Sequence, residues 1–120
     1  MENPYDYSDE YSYIVLKGRA CGIISRAEAA ICGNETFLLE EVLEDLKEVI
    51  IEIETLEALT TYDVRYYKLQ FDALKTSKLK EQYLLNKVKL SLITSKLNYL
   101  RSIEDTIDAI LNKNIEMQLK

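Results

Sequence analysis

The residues that most often do chemistry are sparse in this chain. Histidine is absent from all 120 positions, which removes the commonest general base and the commonest transition-metal ligand. Two cysteines, Cys21 and Cys32, are too few for a zinc site without histidine. They read better as reduced, semi-buried small apolar residues than as a bridge. Glu40, Glu41, Glu44, Asp45 and Glu48 could in principle gather a cation across a helical bundle. Bundle metal sites want Glu-x-x-His on two of their helices, however, and these acids lie mostly off the apolar stripe. They read as a solvated face. No phosphate-binding glycine loop and no nucleophile elbow occurs. Asn34-Glu35-Thr36 fits the glycosylation pattern in form only. The residue inventory therefore points away from an enzyme and from any cofactor.

Binding chemistry has more material. Arg26–Cys32, Gly33 and a helix from Asn34 have the outline of a helix-turn-helix. The would-be reading helix carries Glu35, Glu40 and Glu41, which repel phosphate, so that reading fails. Lys80, Lys87 and Arg101 form a row with Thr94, near Tyr83 and Tyr99, and bases with aromatics can hold a nucleic-acid backbone. The net charge of −6 opposes long-range attraction of nucleic acid. Glu41, Glu44 and Glu48, together with Tyr7 and Tyr11 of the acidic, tyrosine-dense start, are candidates for contact with a protein partner.

Length and composition set the frame for these groups. A chain of 120 residues is one domain and can support a core. Its hydrophobic fraction of 48% excludes a disordered polyelectrolyte. From Asn34 to Lys120 neither glycine nor proline occurs. A β-fold needs such residues at its turns, so the chain is expected to be all-α. The start lacks the basic-plus-apolar layout of a secretory signal, and no apolar run reaches the ~18 residues of a membrane helix. The expected location is cytoplasmic, or the host cytoplasm for a virus or phage product, with no membrane contact.

Charge is sorted along the chain. Residues 34–59 hold nine acids and one base, whereas residues 62–101 hold nine bases and three acids. The first block reads as one helix, with Leu39, Val42, Leu46, Val49, Ile53 and Leu56 at unbroken 3-4 spacing. Asn34 is placed to cap it. Thr60, with Asp63 three residues on, resembles the start of a new helix, so a turn is expected at 59–61. The chain would then return as a long basic helix over 62–112. Val64, Tyr67, Phe71, Leu74, Leu85, Val88, Leu92 and Tyr99 would form its seam. Lys68, Lys75, Gln82, Lys89 and Lys96 would border that seam and face the acids. The place where this helix could break is Lys75-Thr76-Ser77-Lys78, and Ser102-Ile103-Glu104-Asp105 could cap a new one.

Two features remain over. A second apolar stripe, Leu90, Ile93, Leu97, Leu100, Ile103, Ile107 and Ile110, has no partner in a hairpin with a helix half as long. It must meet the N-terminal segment, fold back or pair with another chain. Pairing is favoured, which makes Ile93, Leu97, Leu100 and Ile107 candidate self-association residues. Residues 9–32 are expected to be helical after a flexible tail at 1–8, with short strands at 13–16 and 20–24 as the alternative. Gly18 and Gly22, four apart, would permit close helix approach.

The expected architecture is a single all-α domain: an antiparallel helical hairpin or coiled-coil-like bundle with a shorter N-terminal helical segment. The expected role is a non-enzymatic protein–protein interaction module, in assembly, adaptor work or regulation, that forms homo-oligomers and binds another protein. One alternative is a small acidic inhibitor or nucleic-acid mimic of phage or viral type that blocks a basic groove on a host protein. A second is nucleic-acid binding through residues 75–101, which the net charge disfavours.

Overall fold

The computed structural model describes the backbone of residues 4–119 and the side chains of residues 13–119. Among the described residues there are three helices: α1 (Pro4–Gly33), α2 (Thr36–Leu74) and α3 (Ser77–Leu119). Residues 13–24 are helical, so the strand alternative for them is excluded. Of the expected flexible tail, 1–3 lie outside the described residues, and 4–8 belong to α1.

Both turns are built on a non-glycine residue in the left-handed region. Asn34 has φ 51°, and its N–H donates to the Ala30 carbonyl at 2.9 Å, which closes α1. Asparagine tolerates this conformation better than most residues. Asn34 therefore ends one helix, and Glu35, with extended backbone, opens the next. Lys75 has φ 53°, and its N–H donates to Phe71 O at 2.8 Å, which ends α2. Thr76 then caps α3, its Oγ1 accepting from the Leu79 N–H at 3.2 Å.

The reversal thus falls at Lys75–Thr76 and not at residues 59–61. The threonines there act otherwise than expected. Thr60 is buried and donates its hydroxyl to the Leu56 carbonyl at 2.8 Å, and Thr61 donates to Glu57 O at 2.8 Å. Hydroxyls bonded back to the i−4 carbonyl sit comfortably inside a helix. With no breaker nearby, α2 continues through, so the expected elements 34–59 and 62–112 become 36–74 and 77–119.

Moving the turn changes which stripe is buried. The helices run up, down and up. Cross-helix contacts fix the directions: Arg19 with Glu52 and Arg26 with Asp45 join α1 to α2, and Thr94 with Glu57 joins α3 to α2. The core takes Ala20, Ile23, Ala27 and Ala30 from α1 and the 39–56 stripe from α2. From α3 it takes Ile93, Leu97, Leu100, Ile103, Ile107 and Leu111. The stripe expected to bind another chain is therefore this chain's own core, with Leu97, Leu100 and Ile107 fully buried. Ile93, Leu97, Leu100 and Ile107 have no surface to offer a second copy. Each such side chain contributes about 1.5–3 kcal/mol on burial. Alanines, rather than glycines, let α1 approach: Ala20 and Ala27 are fully buried, while Gly18 and Gly22 have open space around them.

The core stops abruptly. Among the described residues, every buried one lies in 20–30, 39–60 or 93–111, and none lies in 61–92. The molecule, 67 Å long, has a three-helix bundle at one end and a two-helix arm at the other, tipped by the Lys75–Thr76 turn.

Candidate interaction surfaces

The arm is the first surface. Its α3 strip was expected to be a buried seam, yet Leu85 is 61% exposed, Val88 60% and Leu92 56%. On α2, Tyr62, Tyr66 and Leu69 are likewise exposed. Between the two helices runs an open groove of about 650 Å³, lined among others by Tyr13, Lys78, Leu79, Gln82, Leu85 and Val88. Tyr13 stands at its mouth, with the Lys89 ammonium 5.1 Å from the ring centre. Within the bundle, α1 packs on the α2–α3 pair; along the arm the groove between them is open.

Lys68, Lys75 and Lys89 of the expected lysine row find contacts other than the acids of residues 34–57. Lys68 pairs with Asp72 on its own helix at 3.5 Å and lies 5.8 Å from the Tyr83 ring. Lys75 covers Phe71, and Lys89 covers Tyr13. The reason is register: with the turn at Lys75, Lys68 lies on α2 itself and Lys89 lies beside the 61–74 end of that helix rather than beside 36–57. The acids find partners elsewhere. Arg19 and Arg26, seven apart on α1, pair with Glu52 and Asp45, seven apart on α2. That matched spacing was a readable signal in the sequence. The hydrogen bond to Glu52 raises Arg19 above its already high ordinary pKa; burial opposes this, and the charges of Glu52, Glu48 and Asp45 add to it. From α3, Arg101 reaches the acidic block of α2, 3.8 Å from Glu54.

The acidic row is the second surface. Glu41, Glu44 and Glu48 are all exposed, and Phe37 and Ile51 continue the row at either end, 74% and 64% exposed. Their spacing of four, three, four and three places all five on one face of α2. The three acids were legible in the sequence as an outward row; the two apolar ends, Phe37 and Ile51, were not.

The remaining candidates are scattered. Tyr7 and Tyr11 belong to α1, and their side chains lie outside the described residues. Lys80, Lys87 and Arg101 are exposed on α3. Lys87 sits 5.8 Å from the Tyr83 ring, and Arg101 is engaged with Glu54, so the row is partly neutralised. Tyr99 donates to Glu28 at 3.1 Å, which raises its pKa. Cys21 and Cys32 are free and exposed, not semi-buried as expected. Among the described residues, no cluster could hold a metal ion, and no helix is long and apolar enough to cross a membrane. Comparison of the chain with protein-family models, curated proteins and solved structures finds no match.

Proposed function

We propose that this chain is a non-enzymatic helical interaction module that self-associates in the cytoplasm and serves in assembly, as an adaptor or in regulation. The observation that carries this is the arm. A chain with a complete core at one end leaves Tyr62, Leu69, Leu85, Val88 and Leu92 exposed at the other. Exposed apolar surface, with Leu85, Val88 and Leu92 lining one groove, suits an interaction site. The contact surface therefore lies on 61–92 and not on the buried 93–107 stripe. Light scattering on a sizing column tests it. The native chain should exceed its 13.9 kDa mass and fall to monomer on Leu85→Asp plus Leu69→Asp. A native monomer at every concentration sinks the reading.

A second reading has one observation in its favour. Glu41, Glu44 and Glu48 point to solvent while their neighbours Asp45 and Glu52 are neutralised by α1. An exposed acidic row suits an inhibitor that occupies a basic groove on another protein. Such binding weakens as salt rises and is lost on Glu41→Lys, Glu44→Lys and Glu48→Lys.

A further inference from the structure

The two surfaces share one residue spacing and differ in charge. Along α2 the exposed row is Phe37, Glu41, Glu44, Glu48 and Ile51. Along α3 the row facing the groove is Lys78, Gln82, Leu85, Lys89 and Leu92. Each position in the second is its counterpart in the first plus a constant 41, so both rows keep the same 3-4 spacing. Each is about 21 Å long at 1.5 Å per residue. The α2 row is acidic in its middle and apolar at both ends. The groove row carries two lysines and two leucines, and Val88 adds to its apolar surface.

Resting on the self-association reading, we infer that a second copy of this chain fills the groove with its acidic α2 row, and that the pair is a two-fold dimer arranged head to tail. Turning one copy end for end sets its α2 parallel to the α3 of the other, because α2 and α3 of one chain are antiparallel. With the Lys75–Thr76 turn of one copy level with the Asn34 turn of its partner, the rows align. Phe37 then comes beside Lys78, Glu44 beside Leu85, Glu48 beside Lys89 and Ile51 beside Leu92. The symmetry repeats the contact, since each copy offers one row and one groove. Charge selects this arrangement over arm against arm: residues 61–92 carry seven bases and three acids, so two arms would repel, whereas residues 34–59 are strongly acidic.

Charge exchange provides the test. Glu41→Lys, Glu44→Lys and Glu48→Lys make one variant; Lys78→Glu and Lys89→Glu make another. Each variant alone opposes like charges in both contacts of the dimer. A mixed pair restores opposite charges in both. The native chain should run at twice 13.9 kDa. Each variant should run as a monomer, its dimer Kd raised by about a hundredfold or more over that of the native chain. An equimolar mixture should return to the dimer mass. Circular dichroism confirms that each variant is helical. Should the Lys89 change unfold the chain, Leu85→Glu takes its place with the same expected loss and the same rescue by the lysine variant. Variants that stay dimeric, or monomeric variants that fail to recombine, overturn the row-in-groove pairing while self-association stands. A native chain that is monomeric at all concentrations overturns both.

Discussion

Two threonines of the same type do opposite work. Thr60 donates its hydroxyl to the carbonyl one turn back and is swallowed by α2, whereas Thr76 accepts from Leu79 N–H and begins α3. What separates them is the residue before: Lys75 takes the left-handed conformation, and Leu59 stays helical. Thr76→Ala should therefore cost about 1 kcal/mol in urea unfolding followed by circular dichroism. At the same turn, Lys75→Gly should gain about 1 kcal/mol, because glycine carries no penalty at positive φ. A second residue-scale test concerns Tyr99. Its raised pKa, set first by the hydrogen bond to Glu28, means that its contribution is present below the usual tyrosine value and lost as pH climbs through the raised one. In an ultraviolet titration, the wild-type curve minus that of Tyr99→Phe should show one phenol ionising above the ordinary tyrosine range.

At the scale of elements, the question is where one helix ends. The stripes of α2 and α3 were legible as helical in the sequence because their 3-4 spacing does not depend on what they pack against. The turn was harder. Residues 59–61 and 75–78 both offered polar, cap-capable residues, and a cap residue decides a boundary only where the backbone leaves the helix. Proline distinguishes the two positions. Tyr62 is 69% exposed, so its replacement removes little packing. Tyr62→Pro should nevertheless cost about 3 kcal/mol or more, because it breaks a continuous helix. Were a turn present at 59–62, the same change would be nearly neutral, and a urea midpoint resolves the difference. Arg19 and Arg26 teach the same lesson. Their seven-residue spacing matches that of Asp45 and Glu52, but only the packing of α1 shows that it is used.

For the whole molecule, the position of one turn decides which apolar stripe is core and which is surface. Leu97→Ala, at a fully buried site, should cost about 2–5 kcal/mol, while Leu85→Ala should stay within about 0.5 kcal/mol in the monomer. Leu97→Asp should unfold the chain and not merely dissociate it. Hydrogen exchange offers an independent view: amides of 39–56 and 97–107 should exchange last, and those of 61–92 earlier, since the arm has no buried side chain.

Helical character, the absence of breakers after Gly33 and the sorted charge were legible in the sequence, because periodicity, glycine content and formal charge are properties of the chain alone. The sequence also placed Glu41, Glu44 and Glu48 on an outward face, since they fall off the apolar stripe. Packing was needed to bury the stripe of Ile93, Leu97, Leu100, Ile103, Ile107 and Leu111 and to leave Leu85, Val88 and Leu92 exposed. Both stripes have helical spacing and similar apolarity, so neither outranks the other until the length of α2 fixes what each one faces. That length hangs on the backbone of Lys75, where a left-handed residue, the Thr76 cap and the burial gained by placing α1 against 39–60 act together.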